Sequence, residues 1–217
     1  MTTPIGTAMD SLSAALKSKI IPNQEYFLQG SVLDSAVEML LHRLRGLCDN
    51  VDAGPEQFHD HEMCFSIRRS PPPELPLLLR VRRALDAPDM PWQLRYIGQP
   101  ELGDKSQPAV VRSSLDIATS NTVVEFLTEL GCRLDFEYII RGYMFRKGRM
   151  KVTVSKIFKM NQGKLPDGME AISQSYLVEL SVLAPSGQNA IGEEIRIFAE
   201  QLKPLVQLEK INYMRQH

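Results

Sequence analysis

The stretch RLDFEYIIRGYMFRKGRMKVTVSKIFKM, residues Arg133–Met160, holds the strongest structural signal in the chain. Two long runs of alternating side chains flank Lys147-Gly148, and glycine tolerates the positive φ that a tight hairpin needs there. Leu134, Phe136, Tyr138 and Ile140 fall on one face of the first run; Arg133, Asp135, Glu137 and Arg141 fall on the other. A helix would scatter these residues, so the pattern predicts an antiparallel strand pair over Arg133–Arg146 and Arg149–Met160.

Six further runs of the same kind lie outward from this hairpin: Gln24–Gln29, Glu62–Arg69, Pro76–Leu85, Trp92–Ile97, Ala109–Ala118 and Ser175–Ala184. Met63, Phe65 and Ile67 share a face opposite Glu62, Cys64, Ser66 and Arg68, and Leu77, Leu79 and Val81 share one opposite Arg80 and Arg82. Three segments carry helical spacing instead. Leu33, Val37, Leu40, Leu41 and Leu44 mark residues 31–47, with Ser31 and Asp34 as a capping pair. Thr122 and Glu125 open a second helix over 122–130, which Gly131 ends in a left-handed residue. The third, over 188–207, aligns Ile191, Ile195, Phe198 and Leu202 and meets Pro204 near its end. Eight long strands have edges to hide, which favours closure. The expected fold is mainly β, an eight-stranded antiparallel β-barrel over residues 23–217 with about three flanking helices. Residues 1–22 are expected to form an N-terminal segment, partly helical or mobile, with Met9, Leu12, Leu16 and Ile20 on one stripe.

Composition narrows the function. Among 217 residues, 25 Lys and Arg balance 26 Asp and Glu, so no excess of cations is available to coat nucleic acid. No apolar run approaches the ~20 residues of a membrane helix. Three cysteines, odd in number and far apart, fit a reducing compartment rather than a disulfide scaffold.

The chemical constellations are incomplete. His59 and His61 point the same way on a strand near Cys64, but no further ligand of matching spacing follows, and no metal or other cofactor is expected. There is no G-x-S-x-G, phosphate loop or dinucleotide turn, and no catalytic residue is assigned. Asp60/Glu62 and Asp135/Glu137 each place two acids on one strand face. Facing into a barrel with Arg80, Arg82 or Arg141, such pairs could hold a cation and a polyphosphate; facing outward they are solvated. The usual apolar interior of a small barrel puts the charges outward. Ile139, Tyr143 and Phe145 then also face outward beside Arg141, as a patch that either a partner or one of the chain's own helices must cover. These four are the candidate partner-binding residues. Ser70-Pro71 is a candidate phosphorylation site, and Arg68, Arg69, Arg80, Arg82 and Arg83 read as a solvated face or the rim of a complex.

The segment VEFLTELGCRLDFEYIIRGYMFRKGRMKVTVSKIFKM, residues Val124–Met160, closely resembles the family of subunit 18 of the Mediator complex. QEYFLQGSVLDSAVEMLLHRLRGLC and PPELPLLLRVRRAL extend the likeness over essentially the whole chain. The resemblance implies a non-enzymatic coactivator subunit of the Mediator head module, in the nucleus, acting between regulators and RNA polymerase II. It also implies two partners, the related barrel subunit 20 and the C-terminal helix of subunit 8, and neither membrane nor sequence-specific nucleic-acid binding. That family's barrel is similar to triphosphate tunnel metalloenzymes, which hold a divalent metal on E-x-E pairs in their first and last strands. Here Glu25 is paired with Phe27 and Glu179 with Ser181, so each pair keeps one acid. The alternative reading, a metal-dependent tunnel triphosphatase, requires charges facing inward; the interaction subunit is expected to face them outward. A lipocalin-like hollow binder is set aside because Phe65, Trp92, Phe136 and Tyr138 are expected to fill the interior.

Overall fold

The alternation around Lys147-Gly148 becomes a long hairpin because both strands bury a face, and Gly148 turns it at a φ of 54°. The computed structural model describes residues 23–49, 53–67, 76–100, 107–160, 169–185, 188 and 190–211. The predicted N-terminal helix, Arg68, Arg69 and Ser70 lie outside them.

Eight strands close into a barrel: β1 Asn23–Leu33, β2 Glu56–Ile67, β3 Leu77–Ala84, β4 Trp92–Pro100, β5 Val110–Thr119, β6 Arg133–Lys147, β7 Met150–Lys159 and β9 Ser175–Pro185. They run in the order β6-β2-β3-β4-β5-β1-β9-β7, and pairing of β6 with β7 shuts the ring. The two-residue β8, Glu170–Ala171, pairs with the end of β7. All pairings are antiparallel. The mainly β, eight-stranded barrel read from the sequence is the fold observed, with one added strand.

Three α-helices flank it: α1 Val37–Leu47, α2 Val123–Glu129 and α3 Ala190–Gln201. Helix α1 starts later than its spacing suggests, because Ser31–Leu33 extends β1 along β9 and a short 3-10 turn, Asp34–Ala36, intervenes. Neither expected capping box forms. Asp34 instead pairs with Lys156, and Ser120 and Thr122 share a hydroxyl hydrogen bond of 2.6 Å. Gly131 takes the predicted left-handed conformation, with φ 87°. Beyond α3 the chain lies across β1: Gln29 and Glu209 exchange backbone hydrogen bonds, and a Cβ on Gly30 would sit 2.3 Å from the Gln207 carbonyl oxygen.

The apolar residues form two clusters, both on the outside of the barrel wall. Helices α1 and α3 cover β1, β7 and β9 and the end of β6, burying Leu40, Leu44, Ile191, Ile195 and Phe198 against Leu28, Val154, Val178 and Leu180. Helix α2 covers β2 and β3 through Val123 and Leu127, against Met63, Phe65 and Val81. Phe65 and Trp92 therefore pack outward rather than filling the interior; Phe136 and Tyr138 do face inward. The reason is that helices bury the outer wall more completely than a narrow barrel can bury its inner one.

The expected docking patch changes meaning accordingly. Phe145 is fully buried in the larger cluster, with Tyr143 half-buried against it. Ile139 is fully buried, between His61 and Phe158 in the strand register. These side chains do face outward on β6, but the protein's own elements cover them. Arg141 alone of the four is exposed, its guanidinium 5.3 Å from the centre of the Phe158 ring. Phe145→Ala should therefore destabilise the chain by about 3–5 kcal/mol, as removal of a large core aromatic does. Urea denaturation followed by circular dichroism measures it, and a change below about 1 kcal/mol would show that the helices do not seal this face.

Candidate functional site

Because the helices claim the apolar faces, the opposite faces of β1 to β5 turn their charged residues into the lumen. The result is a cavity of about 990 Å³ lined by six acids and six bases. This corrects two expectations together: Arg80, Arg82 and Glu62 face inward rather than toward bulk water, and the barrel is not filled.

Two carboxylates organise the lumen. On β1, Glu25 is only 4% exposed and takes Arg95 of β4 at 2.6 Å and Arg112 of β5 at 2.7–2.8 Å. The register delivers these partners, since Glu25 lies directly across from Arg112. Burial alone would raise the Glu25 carboxyl, but the two guanidinium groups override it and hold the carboxyl below its ordinary value. Arg95 also reaches Asp116 at 3.3 Å, while Arg112 stacks 3.9 Å above the centre of the Phe27 ring.

On β2, Glu62 is 2% exposed and is bound by Arg82, approached by Arg80 at 3.9 Å and hydrogen-bonded by the Tyr138 hydroxyl at 2.6 Å. Burial again opposes ionisation, and Arg82 with Tyr138 again wins. Its neighbour Asp60 is served less well. Arg82 stands 3.6 Å away and is committed to Glu62, so burial dominates and raises the Asp60 carboxyl to about 6.

Glu179 on β9 accepts a hydrogen bond from Gln29 at 2.6 Å. Lys151 on β7 lines the same cavity, and burial, then Arg95 and Arg82, push its ammonium below the usual lysine range against the pull of Glu25 and Glu179.

The single acids of the two strand pairs, Glu25 and Glu179, do reach one cavity with Phe27 and Ser181, as the i, i+2 spacing requires. They do not fit a divalent cation. Glu25 spends its oxygens on two arginines and Glu179 bonds Gln29, and no group of three His, Cys, Asp or Glu side chains suited to a metal occurs among the described residues.

Outside the barrel, His61 bonds Glu137 at 2.8 Å and accepts from Arg83 at 3.2 Å, and Arg83 lies 5.3 Å from the centre of the Trp92 ring. Ser66 donates to Asp135 at 2.9 Å. Glu137 thus shares the outer parity of β6 with Ile139 yet also borders the cavity, and Asp135 sits at the register irregularity opposite Cys64 and Phe65. Cys64 sits across from Arg80, away from these imidazoles, its thiol pushed up to about 11 by burial.

Among the lumen residues that escaped the sequence reading are three bases, Arg95, Arg112 and Lys151. Their signal is a lone base between apolar neighbours, as in Leu94-Arg95-Tyr96 and Met150-Lys151-Val152. Such a base reads as solvated until the other side of the strand is known to be covered.

The family model described as Med18 protein matches residues 24–215. The chain belongs to the Med18 family. Mediator of RNA polymerase II transcription subunit 18 of Aedes aegypti is 68% identical over 209 residues, covering 96% of this chain and 94% of that protein. The subunit of the same name in Drosophila melanogaster is 62% identical over 212 residues, covering 97% and 96%. A chain in the structure of the Schizosaccharomyces pombe Mediator head module superposes with a TM-score of 0.68 at 18% identity, over 87% of this chain and 98% of that one. At that identity the likeness is one of fold, and the barrel is what the two share.

Two predictions follow from the charges in this Med18 lumen. Glu25→Leu leaves two guanidinium groups without their carboxylate and should cost about 3 kcal/mol at pH 7. Because the folded carboxyl lies below its ordinary 4.5, that contribution is present above pH 4.5 and fades as pH falls through the folded value. The difference between Glu25→Leu and the parent should shrink accordingly in urea titrations run at successive pH values. Asp60 has the opposite sign: held near 6 against an ordinary 3.8, it costs stability once ionised. Asp60→Asn should raise the thermal midpoint at pH 7 and remove the loss of stability expected as pH rises from 3.8 to 6; a lower midpoint would mean that the Arg82 contact outweighs burial.

Proposed function

We propose that the chain works as a non-enzymatic subunit of the Mediator coactivator complex, a barrel whose outer surface docks other subunits of the head module in the nucleus. The observation that carries this reading is near-full-length identity with Mediator subunit 18 of two insects. The proposed partners are the related barrel subunit 20 and the C-terminal helix of subunit 8, through which the chain helps pass regulatory signals to RNA polymerase II.

Helices already occupy much of the outer wall, which limits where a second barrel can pack. The faces of β4 and β5 carry Leu115 and Ile117, both about half exposed, beside half-buried Leu94 and Tyr96 in direct register. That apolar wall is the proposed seat of the partner barrel. Arg141 is proposed as a rim contact, with Ile139, Tyr143 and Phe145 holding the wall beneath it.

The inward charges favour a second reading, a metal-dependent triphosphatase, on one count. The commitment of Glu25 to Arg95 and Arg112 weighs against it. Gel filtration of the tagged chain from nuclear extract, with mass spectrometry of what co-elutes, separates the two. Elution in a large assembly with other Mediator subunits is expected, and Leu115→Glu with Ile117→Glu should deplete subunit 20 selectively. Elution alone near 25 kDa, with magnesium-dependent phosphate release from triphosphate-ended RNA, would overturn the proposal.

A further inference from the structure

Strand β5 outruns one of its two partners. Along one edge it pairs with β4 as far as Thr119, which lies across from Trp92. Along the other it meets β1 only where Gln24–Phe27 lie across from Ser113–Val110. Among the described residues no strand lies beside that second edge from Leu115 to Thr119. Leu115, Asp116, Ile117 and Ala118 are exposed in succession, on both faces of the sheet, as an uncovered edge would have them. Backbone left at such an edge is a template for an added strand.

The hydrogen-bond phase shows which groups are left over. Gln29 exchanges backbone hydrogen bonds with Glu209 on the side of β1 away from β9, while Asp34 donates to Gln174 on the β9 side. Odd residues of β1 therefore aim N–H and C=O toward β5, and even residues aim them toward β9. Glu25 with Arg112 and Phe27 with Val110 are then the hydrogen-bonded pairs. On β5 the even residues face β1, so the backbone groups of Asp116 and Ala118 face the open edge.

Continued past Asn23, the same register sets Pro22 across from Leu115, Ile21 from Asp116, Ile20 from Ile117, Lys19 from Ala118 and Ser18 from Thr119. The residue types suit these places. Pro22, which has no N–H, falls on the even phase, toward the side where β9 has already ended at Pro185. Ile21 and Lys19 keep the N–H groups that the Asp116 and Ala118 carbonyls can accept. Ile20 and Pro22 share the outer parity of Leu115 and Ile117, and Lys19 shares the inner one, diagonal to the Asp116 carboxylate. Being continuous with β1, the segment has no loop to close before it pairs.

We propose that residues 18–22 dock on the free edge of β5 as a continuation of β1, adding Ile20 and Pro22 to the apolar wall beside Leu115 and Ile117. The proposal stands independently of the partner-docking reading, since it concerns backbone pairing within one chain.

Cross-linking of the full chain tests the register. Ile20→Cys with Ile117→Cys places two thiols on one face in a non-hydrogen-bonded pair. It should close an intramolecular disulfide at least about tenfold faster than Ile21→Cys with Ile117→Cys, whose side chains point to opposite faces. The three natural cysteines are buried and stay out of the reaction. Amide exchange followed by nuclear magnetic resonance tests the phase. Asp116 and Ala118 should be protected in the parent chain, lose that protection at least about tenfold in Ile21→Pro, and keep it in Ile20→Pro, where the lost N–H faces away from β5. Far-UV circular dichroism checks that each variant is folded. Fast exchange at Asp116 and Ala118 in the parent chain, protection that survives Ile21→Pro, or equal rates for the two cysteine pairs would each overturn the proposal. A disulfide formed only between two chains would also overturn it and give the edge to a second copy.

Discussion

A carboxylate carried into the middle of a barrel has to be met there by a cation, and Glu25 and Glu62 are each met by two. These partners come from different strands: β1 is tied to β4 and β5, and β2 to β3 and, through Tyr138, to β6. The pairs therefore tie neighbouring strands along the inner wall, and they require a particular register, because a slip of one residue in a strand would turn its acids and arginines to the outer face. Removing one partner would leave the others without their counter-charge. The hollow interior, the register and the ionisation of the lumen acids all follow from this mutual commitment.

The outer wall imposes the complementary constraint. Helices α1 and α3 on one side and α2 on another give the apolar faces of the strands something to pack against, and most of the hydrophobic stabilisation resides there. A strand has only two faces. Once the apolar one is buried under a helix, the polar one has nowhere to go but inward. Strand β6 shows the mixture: Phe136 and Tyr138 face the lumen, while Tyr143 and Phe145 go under the helices. Its charged residues Asp135 and Glu137 are held by Ser66 and His61.

This division of labour is what the proposed docking role asks of the barrel. Arg95 and Arg112 engage Glu25, and Gln29 engages Glu179, which turns both carboxylates into structural ties. Membership of the Med18 family agrees with a barrel whose outer wall is largely covered and whose β4–β5 face is left apolar.

Much of the architecture was legible in the residues. Strict alternation, punctuated by Gly148 and by proline-rich loops, located the eight long strands, and helical spacing located all three α-helices. Alternation also sorted Glu25 with Phe27 and Glu179 with Ser181 correctly, because neighbours two apart on a strand must share a face. What alternation cannot say is which face is inside. The inward turn of Arg80, Arg82 and Glu62, the cover over Phe145, and the meeting of Arg95 and Arg112 on Glu25 depend on residues far apart in the chain. Local periodicity determined the elements and the two faces of each; only the packing of helices against the closed wall decided which face became core and which became lumen, because burial is a property of what lies opposite a side chain and not of the side chain itself.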